Sequence, residues 1–314
     1  MIRNATFSIT NRCNSRCKIC NIWKTSDFSD ELSVAEIGKL LTTPFFKNLD
    51  TVSITGGEPF LRADLKEIIS LISKKLPNVK RIFLNTNASF AAKVVEVCSL
   101  CTALFDETIL SISLDGREHI HNELRGINNH ANVICLLKEV SNIKNLKISL
   151  SMTLSDKNCT REDLQYVYET AKNNSAMFSF RFADNSESYY RNCNLDLNVS
   201  AEKKKMVAEF IREYCRDNEF LQVLEQYIET GKISFLIDEQ GKNKCLAGKE
   251  FVFIHPDGSV APCLYSSQRI DILHYKATEI KLGEKEKCPC CTDCAIYPII
   301  EYKKRIQQRR KNVK

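Results

Sequence analysis

The chain has 314 residues, 43% of them hydrophobic and 27% charged, enough to bury a large core and to suit one large domain with a smaller one. No run of 18 or more apolar residues occurs and no basic-then-apolar leader opens the chain, which argues against a membrane span or export and for a cytoplasmic protein. The net charge of +6 is local: residues 303–314 hold seven Lys or Arg and no acid, leaving 38 basic against 39 acidic residues elsewhere. A basic tail can touch nucleic acid, but no aromatic side chains are interleaved with it, so a solvated helix end is the simpler reading and a nucleic-acid partner is not expected.

From residue 5 to about 183, short β-rich runs alternate with longer amphipathic segments. Strands are predicted over 5–10, 50–55, 80–85, 108–114, 146–153 and 177–182, and helices over 33–41, 64–75, 91–100, 131–140 and 161–172. Ser33 with Glu36 forms a capping box, and Asp64 with Glu67 a looser relative of one. Six strands alternating with helices imply a parallel sheet, and units of about thirty residues suit a partial (β/α)6 barrel of TIM-like type, open on one side. A doubly wound α/β sheet is the alternative.

Directly after the first strand, Cys13, Cys17 and Cys20 place three thiols within eight residues, with no fourth Cys or His nearby. Structural zinc prefers four ligands in two separated pairs, so a compact three-thiol loop better suits a cubane cluster with one iron left open; an unusual zinc site is the alternative. After the second strand comes Thr55-Gly56-Gly57-Glu58-Pro59. Two glycines there allow a close backbone approach to a bound molecule, and Glu58 offers an acceptor for an ammonium group. Asn85-Thr86-Asn87 follows the third strand and Ser113-Leu114-Asp115-Gly116 ends the fourth, so all these motifs fall at one end of the expected barrel.

Cys13-x3-Cys17-x2-Cys20 followed by Gly-Gly-Glu-Pro resembles the radical S-adenosylmethionine (SAM) superfamily, over most of the chain. The resemblance implies a partial (β/α)6 barrel and a [4Fe-4S] cluster on the three cysteines, with SAM on its open iron. It implies that Glu58, beside Gly56 and Gly57, meets the SAM amino group, and that Ser113 and Arg125 meet the ribose and carboxylate region. Arg125 suits a carboxylate because guanidinium bonds bidentately. Asn87 and Asp115 are further candidate contacts, with a plain turn as the alternative for Asp115-Gly116. Trp23 shields the loop or, more simply, packs.

Residues 184–232 turn polar and then helical over 201–215 and 219–229, a linker between a barrel over 1–183 and a last segment over 233–314. Cys193, with Tyr189 and Tyr190, lies just past the sixth strand and is a candidate hydrogen donor, although a structural cysteine is the simpler reading. The last segment carries Cys245, a predicted hairpin around Pro256-Asp257-Gly258, Cys263, and then Cys288, Cys290, Cys291 and Cys294 ahead of a helix. That spacing resembles a twitch domain, the shorter relative of the SPASM extension, and implies one auxiliary [4Fe-4S] cluster on Cys245, Cys263 and two of the later four. Cys288 with Cys291 and Cys291 with Cys294 both have the right spacing; a zinc ribbon is the alternative. The six scattered cysteines, Cys98, Cys101, Cys135, Cys159, Cys193 and Cys215, read as small buried hydrophobes. His255 reads as a surface residue, and the other histidines receive no role.

The resemblance further implies an enzyme in which an electron donor such as flavodoxin or ferredoxin reduces the cluster. SAM is then cleaved to a 5'-deoxyadenosyl radical that takes a hydrogen atom from the substrate, with dehydrogenation or epimerisation as the outcome. The cysteine motif begins too early for a leader-peptide domain before it, which favours a small-molecule substrate over a ribosomally made peptide. A zinc-binding, nucleic-acid-interacting protein is the alternative of another class.

Overall fold

The structure, a computed structural model, describes residues 2–231 and 245–273. Six parallel strands form its centre: β1 (Asn4–Ser8), β2 (Thr51–Thr55), β3 (Arg81–Thr86), β4 (Glu107–Ser113), β5 (Leu146–Leu154) and β6 (Met177–Phe182). They lie in consecutive order in one sheet that does not close, so the molecule is a mostly parallel, open α/β sheet of the expected kind.

The crossovers carry α1 (Val34–Leu41), α2 (Leu65–Lys75), α3 (Ala91–Leu104), α4 (Glu118–Arg125), α5 (His130–Val140) and α6 (Arg161–Asn173). Helix α2 shows why they pack: Leu65, Ile68, Ile69 and Ile72 fall on one face at helical spacing and all are buried. The capping box at Ser33 and Glu36 forms on α1. Asp64 makes no capping bond; its carboxylate is held by Arg62 Nε and Nη2 at 2.8 and 2.7 Å, because a charged guanidinium outcompetes a neutral N–H. Helix α4 lay outside the sequence reading.

Along the strands a period-2 pattern separates two faces. Ile82, Leu84, Leu110, Ile112, Leu150 and Met152 are buried in the hydrophobic core, while the residues between them face the bore of the partial barrel. Of the scattered cysteines, Cys98, Cys101, Cys159 and Cys215 are buried as expected, whereas Cys135 and Cys193 are exposed.

After β6 come α7 (Ala201–Tyr214) and α8 (Glu219–Thr230), an antiparallel pair capped by Ser200 and Asn218. The predicted hairpin is present as β7 (Phe251–Ile254) and β8 (Val260–Ala261). It is joined to the main sheet: β7 pairs in parallel with β1, Asn4 opposite Phe251 and Phe7 opposite Ile254, giving the order β6-β5-β4-β3-β2-β1-β7-β8. His255 is not a surface residue. It is 2% exposed and packs edge-on against Phe253, because the strand it ends is covered on both faces. No described helix is long and apolar enough to cross a membrane. Cys288, Cys290, Cys291, Cys294, the expected final helix and the basic tail lie outside the described residues.

Candidate functional site

The loop after β1 carries Cys13, Cys17 and Cys20, and its backbone is clamped from three directions. From the end of β2, Gly57 N–H donates to Thr10 O and Glu58 N–H to Arg12 O, both at 2.8 Å. From the other side, Arg16 N–H and Lys18 N–H donate to Arg125 O and Leu124 O at the end of α4, at 2.8 and 2.9 Å. Across the top, Asn21 N–H donates to Tyr190 O at 2.8 Å, Asn192 Nδ2 to Ile19 O at 2.7 Å, and Tyr189 OH to Gly56 O at 2.8 Å. A side chain at Gly57 would place its Cβ 2.2 Å from Arg12 O, and one at Gly56 2.4 Å from Thr10 O. The close approach that these glycines permit is therefore made first to the cysteine loop itself.

All three thiols line one cavity of about 530 Å³, together with Gly56, Gly57, Glu58, Asn87, Ser113 and Arg125. Burial pushes the Cys13 thiol up to about 12 and Cys20 to about 11; it raises Cys17 as well, against the nearby Arg125 guanidinium. Free thiolates are thus disfavoured here, and bound iron would supply the compensating positive charge. Among the described residues no three His, Cys, Asp or Glu side chains sit close enough to share a single ion. Three thiols on one cavity wall suit a cubane cluster, in which each thiolate binds a separate iron.

Glu58 is buried, and its carboxylate accepts from Asn87 N–H at 2.7 Å, Thr86 OH at 3.0 Å and Phe60 N–H at 3.2 Å. Desolvation outweighs those bonds and raises its pKa to about 7. Asn87 in turn donates from Nδ2 to Asn14 Oδ1 at 2.8 Å and Ser15 Oγ at 2.9 Å, tying Glu58 to the cysteine loop.

Behind this wall lies a network that the sequence reading missed. Asn129 Nδ2 donates to Asn87 O at 2.6 Å, and Asn129 Oδ1 lies 3.0 Å from Nε2 of His121, which is fully buried. His121 Nδ1 accepts from Asp115 N–H at 3.0 Å, so the ring proton belongs on Nε2, and burial depresses its pKa to about 4. The Asp115 carboxylate accepts from Arg125 Nε at 2.6 Å and Thr153 N–H at 2.9 Å. Asp115 is 1% exposed and is absent from the cavity lining; it holds Arg125, which is in that lining. A helix over 118–125 is the signal that would have revealed this, since it puts His121 and Arg125 four apart on one face.

Of the remaining candidates, Ser113 lines the cavity, and Cys193 is exposed and outside its lining. Tyr189 and Tyr190 do line it, with Arg181 over the Tyr190 ring at 5.0 Å. Trp23 sits in the lining with Arg16 and Lys24 over its ring at 5.1 and 5.3 Å. Cys263 is buried and Cys245 half-buried beside the hairpin, and Ser186 and Ser188 reach across to Leu264 O at 2.6 and 2.8 Å.

A three-thiol loop at the strand ends of an open parallel sheet, opening on a cavity with a buried carboxylate and a guanidinium, defines a cluster-and-cofactor enzyme class. The family model of the Radical SAM superfamily matches residues 7–165, half of the chain, and the chain belongs to that superfamily. The antilisterial bacteriocin subtilosin biosynthesis protein AlbA of Bacillus subtilis is 26% identical over 156 residues, 49% of this chain and 34% of that protein. The chain thus spans about a third of the length of the first curated relatives it matches, 34% of AlbA and 32% of a probable GTP 3',8-cyclase of Methanococcus maripaludis. A GTP 3',8-cyclase of Lactiplantibacillus plantarum is 28% identical over 280 residues, 84% of this chain and 80% of that protein. Among solved structures, Streptococcus suis SuiB bound to S-adenosylmethionine superposes with a TM-score of 0.69 at 16% identity, covering 95% of this chain and 72% of SuiB.

Proposed function

We propose that this chain cleaves SAM reductively and removes a hydrogen atom from a peptide substrate. The carrying observation is the convergence of Cys13, Cys17 and Cys20 with Glu58 and Arg125 on one cavity. In this reading Cys13, Cys17 and Cys20 hold a [4Fe-4S] cluster which, when bound, supplies the electron for SAM cleavage. Glu58 faces the SAM ammonium and Arg125 its carboxylate, while Gly56, Gly57, Asn87 and Ser113 shape the rest of that site. The surrounding backbone clamp keeps the loop fixed. Cys245 and Cys263, with two of Cys288, Cys290, Cys291 and Cys294, hold an auxiliary cluster in a C-terminal unit. A small electron-transfer protein such as flavodoxin or ferredoxin reduces the core cluster.

The peptide reading, preferred here to the small molecule favoured by sequence, is supported by AlbA, named for bacteriocin biosynthesis, and by SuiB, also solved bound to its precursor peptide SuiA. A nucleotide substrate is the second reading, favoured by the long match to the L. plantarum GTP 3',8-cyclase. Against it, the arginines in the described cavity lining are Arg125, which this reading gives to the SAM carboxylate, and Arg181. A triphosphate calls for several cations.

The test is iron and sulfide content after anaerobic reconstitution, with and without replacement of Cys13, Cys17 and Cys20 by Ala. About eight irons falling to about four is expected, with loss of 5'-deoxyadenosine formation. Zinc without labile sulfide, or 5'-deoxyadenosine formation surviving in the variant, would overturn the assignment.

A further inference from the structure

The bore below the cysteine loop has an unusual wall. Parallel barrels normally fill their interior with layers of Val, Ile and Leu. Here the wall is mixed: Thr6, Ser53, Asn85, Ser111, Ser151 and Ser179 line the cavity alongside Phe83, Ile109, Met177, Phe180 and Phe220. The polar residues form three cross-strand pairs, Thr6 opposite Ser53, Asn85 opposite Ser111, and Ser151 opposite Ser179, while Ser53 on its other side faces Phe83. Three of these six are engaged across the wall: Asn85 Nδ2 donates to Ser53 Oγ at 3.3 Å, and Ser179 Oγ lies 3.1 Å from Ser149 Oγ. The hydroxyls of Thr6, Ser111 and Ser151 have no hydrogen-bond partner among the described residues. The charged groups of the described lining, Glu58, Arg125, Arg181 and Asp184, all sit towards the loop end.

We propose that this bore is the substrate's specificity pocket and takes an uncharged, hydrogen-bonding group, an alcohol or carboxamide side chain of the peptide. This rests on the reading above that the chain acts on a peptide, and it names the side chain. Three unpartnered hydroxyls on the wall of one cavity lose hydrogen bonds if an apolar group displaces their water, and regain them from a group that both donates and accepts. At the base of the bore Arg81 and Lys147 are both held by Glu107, so a carboxylate or phosphate meets no uncommitted cation there and an ammonium no uncommitted anion. Sites built to hydrogen-bond a substrate discriminate strongly against analogues that lack the group.

The experiment uses reconstituted, SAM-loaded holoenzyme and saturation-transfer NMR. The probes are the N-acetyl amides of serine, asparagine, leucine, aspartate and lysine, together with GTP. Saturation of the serine and asparagine amides, and not of the others, is expected. In a Thr6→Val, Ser111→Ala, Ser151→Ala variant their binding should weaken about fivefold or more. The three hydroxyls make no bonds within the described protein, so the variant's thermal midpoint should not fall, which separates a lost contact from a lost fold. Stronger binding of the leucine, aspartate or lysine amide or of GTP would overturn the proposal, as would unchanged binding in the variant. Binding of none of the probes would also overturn it, leaving water as the occupant. Formation of 5'-deoxyadenosine, measured separately, reports on SAM cleavage whichever way this result falls.

Discussion

Glu58 is where electrostatics and cofactor binding meet. Its folded pKa of about 7 lies above the ordinary carboxylate value of 4.5, because burial outweighs three hydrogen bonds. The raised value means that its contribution to stability is complete below pH 4.5 and is lost as pH rises through about 7. A ligand ammonium selects the carboxylate form, so SAM affinity should fall about tenfold per pH unit below pH 7. Glu58→Gln should bind SAM weakly and without that slope; equilibrium titration across pH checks both. His121 acts at one remove. His121→Ala strands Asp115 N–H and Asn129, and should cost about 1–3 kcal/mol in chemical unfolding. His121→Gln, which can accept and donate at similar positions, should recover part of it. Cys13, Cys17, Cys20 and Glu58 were legible because their spacing is local in sequence. Asp115 was expected as a direct contact, whereas it lies outside the cavity lining and holds Arg125, a bond that depends on where an unrecognised helix ends.

Among elements, the cysteine loop owes its shape to backbone contacts that leave no room for side chains. Gly57→Ala would drive Cβ into Arg12 O at 2.2 Å, a backbone atom that cannot swing aside. The expected result is a folded but less stable protein that incorporates less iron, read by iron content and thermal midpoint together. The six central strands were legible from alternation with amphipathic segments, with boundaries displaced by at most two residues. Their inner face held a further signal. Parallel strands buried on both sides read as continuous apolar runs, whereas β4 and β5 alternate, as in Leu110-Ser111-Ile112-Ser113 and Ile148-Ser149-Leu150-Ser151. That alternation marks a wet bore. Helix α4 was hidden for the opposite reason: it buries chiefly His121 and Leu124, so its apolar stripe is too thin to register as a period.

For the whole molecule, the local hairpin around Pro256-Asp257-Gly258 was legible and its place in the sheet was not, since nothing near residue 251 encodes a partner at residue 4. Removing everything after residue 244 should expose the outer edge of β1 and lower solubility, which sedimentation of the truncated chain would show; a monodisperse, equally stable product would contradict it. The β1–β7 pairing also orders events in time. Asn4 and its acceptor Glu250 are 246 residues apart, and at ribosomal rates of about 5–20 residues per second β1 waits roughly 12–50 s for its neighbour. Throughout that interval the first thiols to be synthesised hang from a strand with one edge unpaired. The open edge of β1 closes only once the hairpin has been made, so the shape of the cysteine loop is completed from the far end of the chain.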